Sequence, residues 1–174
     1  MTLLLGLAMT VVEVFLPCFV DRGMNRAFSQ AKPVVENLYA EIGIRIVWRP
    51  TNSLPPGCTS GRIVMDFQSR VEGRGPRALA VAYPYAKEGP CVRLLIDRLR
   101  ESLDRNPDST SILLGHVLAH ELGHALQRID RHSEFGLMKA VWSAEDITAM
   151  REGKLRFMPI DADLILTPLR ASTE

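Results

Sequence analysis

All four histidines of the chain fall between positions 116 and 132, and three of them belong to the run His116-Val117-Leu118-Ala119-His120-Glu121-Leu122-Gly123-His124. On an α-helix, residues four apart share a face, so His120 and His124 can both aim a ring nitrogen at a point about 2.0 to 2.1 Å away, the zinc bonding distance. Glu121 projects about 100° round from His120, where a carboxylate flanks such an ion without ligating it. This His-Glu-x-x-His spacing is that of zinc hydrolases: the metal acidifies a water and polarises a carbonyl, and the glutamate accepts and redelivers the proton. The plain alternative is an amphipathic helix whose histidines and glutamate face solvent. A catalytic zinc keeps three protein ligands and one open position, so two imidazoles demand a third ligand from downstream.

Over Leu118 to Met138 the sequence resembles the metzincin metallopeptidases, particularly their matrixin-like and short bacterial or archaeal members. The residues that carry the likeness are His120-Glu121-Leu122-Gly123-His124-Ala125-Leu126, then His132-Ser133, then Gly136-Leu137-Met138. The resemblance implies a zinc-dependent endopeptidase, with Zn2+ as cofactor and a peptide or protein as substrate. Glu121 would be general base and then acid, and Met138 the Met-turn residue packed beneath the metal. The family usually has glycine three residues after the second histidine, where this chain has Gln127. Its third ligand usually comes six residues after that histidine, where this chain has Asp130, and His132 lies two residues later. Asp serves as third ligand in some relatives, so both are candidates. His132 is preferred, because Ser133 and the approach to Met138 fit a matrixin-like loop lengthened by two residues.

By the same resemblance, the run Ala78 to Tyr85 corresponds to the edge strand on which an extended substrate pairs, with Ala80, Val81, Ala82 and Tyr83 as its binding residues. Lys139 to Trp142 would line the pocket for the substrate residue after the scissile bond. His116, one turn before His120, is expected at the surface or hydrogen-bonded behind the ligands, since a fourth imidazole would close the open position. The rival reading is a non-catalytic, zinc-stabilised interaction domain on a metzincin-like scaffold. Glu121 argues against it, because a structural zinc has no use for that carboxylate.

The elements that must position these groups follow from pattern. Val11 to Val20 is β-branched and aromatic and ends at Asp21-Arg22-Gly23, so it is expected to be a buried strand leaving through a turn. Ala27, Ala31, Val34, Val35, Leu38 and Ile42 recur at helical spacing, which predicts a helix from about Asn25 to Glu41 stopped by Gly43. Ile44 to Trp48 supplies a second strand, and the β-α-β unit makes the two parallel. Arg49 to Gly61 reads as a loop and Arg62 to Phe67 as a third strand. Ala78 to Tyr85, with Pro84, fits an edge, and Cys91 to Ile96 is a further strand. Asp97 to Leu103 begins a helix or a charged connection. Asp108-Ser109-Thr110 is a cap cluster for the metal-binding helix, whose apolar positions are Ile112, Leu113, Val117, Leu118, Leu122 and Leu126. A helix capped by Ser143 and ended by Gly153, and a last one from Asp161 to Leu169, form a tail expected to cover the core without chemistry. The fold expected is α/β: a twisted mixed sheet of four or five strands packed on two main helices, with a short helical C-terminal tail.

With 174 residues, 47% of them apolar and 24% charged, the chain has the composition of one globular domain that folds alone. Residues 10–174 are expected to form a single catalytic domain, as a monomer, after an apolar tail or signal remnant at 1–9. The apolar start resembles a signal peptide, which slightly favours a secreted or periplasmic location over a cytoplasmic one, although no basic residue precedes it and Glu13 interrupts the run. The 21 basic and 20 acidic residues leave no net field to gather phosphates, which disfavours a nucleic-acid partner. No later segment approaches the length needed to span a membrane. Cys18, Cys58 and Cys91 are too few and scattered for a disulfide framework and read as three thiols, with a Cys58 to Cys91 bridge as the alternative in an exported protein.

Overall fold

The computed structural model describes residues 9–17, 21–51, 63–69, 78–87 and 89–171. Its elements run β1 (Thr10–Leu16), α1 (Arg22–Ala40), β2 (Ile44–Pro50), β3 (Ile63–Gln68), β4 (Ala80–Tyr83), β5 (Cys91–Leu95), α2 (Ile96–Arg105), α3 (Pro107–Gln127), α4 (Ala144–Arg151) and α5 (Pro159–Ala171). The strands form one five-stranded sheet in the order β2-β1-β3-β5-β4. All neighbours are parallel except β4, which pairs antiparallel with β5 at the sheet margin. This is the mixed α/β architecture expected. The loop 52–62 and residues 1–8 and 18–20, and with them Cys58 and Cys18, lie outside the described residues.

Side-chain alternation decides which face of β1 is covered. Val12, Val14 and Leu16 are buried while Val11 and Glu13 are exposed, as a strand with helices on one side requires. In β3 and β5 consecutive residues are buried, Ile63 to Met65 and Cys91 with Val92, so the sheet centre is enclosed on both faces. Cys91 is disulfide-bonded, which overturns the reading of three thiols. Helix α1 buries the stripe Met24, Ala27, Phe28, Ala31, Val35, Leu38 and Tyr39, and that stripe meets α3.

The α1–α3 crossing fixes the position of α3, which carries His120 and His124. A Cβ on Gly115 would stand 2.6 Å from the Val34 Cβ and 3.0 Å from the Ala31 carbonyl oxygen, so only glycine permits this approach. One turn on, the buried Tyr39 hydroxyl donates to the Ala119 carbonyl at 3.0 Å. The start of α3 differs from expectation: Asn106 is the cap, accepting from Ser109 N–H at 3.2 Å, with Pro107 in the first turn. Proline has no N–H to leave unpaired and its φ suits that position, so the helix begins just ahead of the Asp108-Ser109-Thr110 cluster. Thr110 instead folds back to the Ser102 carbonyl at 2.9 Å, tying α2 to α3.

Candidate metal centre

His120 and His124 lie on successive turns of α3, both buried, and the exposed His132 arrives from the loop beyond it. The three imidazoles offer ligand nitrogens that all lie within 4.8 Å of one another. Asp130 stands outside this group; it is exposed, and its backbone N–H donates to the Tyr85 hydroxyl at 3.2 Å. The geometry therefore favours the histidine of the two candidate third ligands.

The tautomers of the helical pair follow from their partners. His120 Nδ1 lies 2.9 Å from the Leu137 carbonyl oxygen, and His124 Nδ1 lies 3.2 Å from that of Ile129. A carbonyl oxygen only accepts, so each Nδ1 carries the proton and each Nε2 presents a lone pair. Those two Nε2 atoms are 3.0 Å apart. Burial, reinforced by the neighbouring His124, pushes the His120 pKa down to about 3, and burial lowers that of His124 too. Two neutral acceptors facing each other at this distance repel unless a cation sits between them. Tetrahedral zinc with bonds of about 2.0 to 2.1 Å separates its nitrogens by about 3.3 Å, so the pair fits that ion closely.

The loop that delivers His132 is built differently from the family pattern. Helix α3 continues through Gln127, which is buried, and the chain turns one residue later at Arg128, in the left-handed region at φ 53° and ψ 36°. Gln127 thus packs where a glycine would have turned, and both of its amide atoms lack a hydrogen-bond partner among the described residues. Beyond the turn, Arg131 and Ser133 flank His132, and both are held by Asp161 of α5. The Asp161 carboxylate accepts from Arg131 at 2.9 Å and from Ser133 Oγ at 2.5 Å, and it is fully buried. The C-terminal tail was expected to carry no chemistry; its one buried acid fixes the loop of the third imidazole.

Met138, fully buried, packs against α3 at Gly123, the residue before His124. A Cβ on Gly123, the residue between the two helical histidines, would come within 2.7 Å of the Met138 sulfur. Ser133 N–H donates to the Met138 carbonyl at 2.8 Å and closes the loop that joins the third imidazole to this thioether. Trp142 stands edge-on to His120, 5.5 Å between ring centroids, and its indole N–H shares the Leu137 carbonyl with His120. Lys139 is ion-paired with Asp146 of α4, the residue that closes the capping box with Ser143. Neither a protein-family model nor a curated protein matches the chain.

The Glu121 carboxylate accepts from the Ala82 N–H of the marginal strand at 2.5 Å. Strand β4 alternates in its backbone direction: Leu79 gives its carbonyl to Leu95 at 2.8 Å, so Val81 and Tyr83 face β5 while Ala80 and Ala82 turn outward. Tyr83 packs under the Arg93 guanidinium at 4.7 Å. His116 departs from expectation. It is buried rather than at the surface, its Nδ1 bonds to Ile112 O within its own helix, and it touches none of the three clustered imidazoles.

Proposed function

We propose that the protein is a zinc-dependent peptidase with His120, His124 and His132 as metal ligands and Glu121 as the proton carrier. The observation that carries this reading is the pair of unprotonated Nε2 atoms 3.0 Å apart with a third imidazole beside them, an arrangement that calls for a shared cation. When bound, zinc supplies the Lewis acidity that activates water and polarises a carbonyl. The Leu137 and Ile129 carbonyls hold the two helical imidazoles in the tautomer that ligates. The Glu121 carboxylate, steadied by Ala82 N–H, takes a proton from the attacking water and returns it to the departing amine, so its proton balance closes over one turnover.

The substrate class is an extended peptide added to the sheet margin. Ala80 and the Ala82 carbonyl are the outward backbone groups available to pair with it, so of the four edge residues these two make the contact and Val81 and Tyr83 support it. A second reading, a zinc-stabilised interaction domain, is favoured by that same Glu121 to Ala82 bond, which a purely structural site could retain. One experiment separates them. Purified protein should carry about one zinc per chain, and Glu121→Gln should keep metal and fold while peptide hydrolysis falls by about two orders of magnitude or more. No zinc after reconstitution sinks both readings; zinc with no hydrolysis of any peptide in a library favours the second.

A further inference from the structure

His116 has no part in the proposed reaction, yet it is only 2% exposed. Its Nδ1–H donates to the Ile112 carbonyl at 2.9 Å, so its Nε2 is an acceptor, and no donor among the described residues meets it. The imidazole forms part of the wall of a cavity of about 680 Å³ between α1, α3, α4 and the segment that follows α4. That volume lies within the range of small-molecule sites, roughly 300 to 1,000 Å³. Val34, Leu38, Ile112 and Met150 give the cavity an apolar surface, and Arg151 and Arg156 bring two guanidinium groups to it. Arg156 is ion-paired with Glu41 at 2.5 Å, whereas Arg151 has no carboxylate partner among the described residues. The cavity therefore offers one exposed guanidinium without a carboxylate partner among the described residues, one accepting imidazole nitrogen on its wall, and an apolar surface.

We propose that this cavity binds a small amphipathic carboxylate bearing a hydroxyl at the end remote from its acid group. The carboxylate meets Arg151, the apolar body lies on Leu38, Ile112 and Met150, and the hydroxyl donates to His116 Nε2. Burial lowers the His116 pKa, so the ring remains neutral and accepting at neutral pH. The inference does not depend on the peptidase reading, because none of these groups belongs to the clustered imidazoles.

The test is calorimetric titration of the full chain with para-hydroxyphenylpropionate, before and after the metal is removed by a chelator. The comparison separates binding in the cavity from carboxylate ligation of a bound ion. Both forms should bind it. Phenylpropionate, which lacks the hydroxyl, and tyrosol, which lacks the carboxylate, should each bind about ten-fold more weakly or worse. Arg151→Ala, at an exposed position, should weaken para-hydroxyphenylpropionate by a similar factor and leave tyrosol unaffected. In nitrogen NMR the His116 Nε2 resonance should move with the two hydroxylated ligands and not with phenylpropionate. The proposal is overturned by absence of binding at millimolar concentration, or by binding that is lost with the metal. It is equally overturned by binding that neither depends on Arg151 nor moves the His116 resonance.

Discussion

His132 and Asp130 differ by two positions in the chain and by everything that matters to a metal. The imidazole stands with His120 and His124, its ring centroid 5.4 Å and 4.8 Å from theirs, whereas Asp130 is exposed and engaged through its backbone with Tyr85. Zinc titration against a competing chelator should find His132→Ala weakened by several orders of magnitude, well beyond the roughly 10 to 100-fold typical of a supporting residue. Asp130→Ala should stay within that smaller range, and a larger loss there would reassign the ligand. The helical pair and Glu121 were legible from spacing alone, because the helix repeat itself brings residues four apart together. Nothing local could reveal that His116 is buried: its face of α3 is decided by where α1 and α4 lie.

At the level of elements, the turn after α3 makes the loop to His132 possible without a glycine at the turn. A non-glycine residue in the left-handed region costs about 1 to 2 kcal/mol, and Arg128 occupies it. Arg128→Gly is therefore expected to raise stability by roughly 0.5 to 1 kcal/mol, net of glycine's greater freedom in the unfolded chain, with zinc affinity retained. Denaturant unfolding measures it; a loss of stability would mean that the Arg128 side chain contributes more than its backbone strain removes. Helix α5 acts on the same loop from the other side. Asp161→Asn keeps the shape but removes the charge held by Arg131 and Ser133, and zinc affinity should fall about 10 to 100-fold. Unchanged affinity would show that the loop holds itself. The helices themselves were readable, α1 from its apolar stripe and α4 from Ser143. The chemistry of α5 was not, since Asp161 pairs with residues 28 and 30 positions away.

For the molecule as a whole, clustering neutral imidazoles in a core makes its stability depend on pH when no metal is bound. Burial, then the neighbouring His124, holds His120 at about 3 in the folded chain against the usual imidazole value of 6.5, and His116 and His124 are lowered in the same direction. As pH falls below about 6.5 the unfolded chain takes up protons that the folded chain refuses, so stability is full above that pH and declines towards pH 3. Each such imidazole contributes a slope of about 1.4 kcal/mol per pH unit where only the unfolded form is protonated. Denaturant unfolding of chelator-treated protein between about pH 7 and 5, above the range where carboxylates titrate, should show the decline. A flat profile would mean that the imidazoles are solvated in the metal-free state.

The sequence by itself determined what repeats over short distances. The β-branched and aromatic run of β1, the helical stripe of α1, the His120 and His124 pair on one face of α3 and the short edge strand ending before Pro84 are each set by neighbours a few residues apart, so composition and spacing specify them. Only the tertiary structure decided which groups from separate elements meet: His132 rather than Asp130 beside the helical pair, Met138 against Gly123, Glu121 on the Ala82 N–H, and Asp161 under the loop of the third imidazole. Those meetings depend on how closely α3 approaches α1 at Gly115 and where the chain turns after Gln127. Both are set by packing across the whole core, which no local pattern encodes.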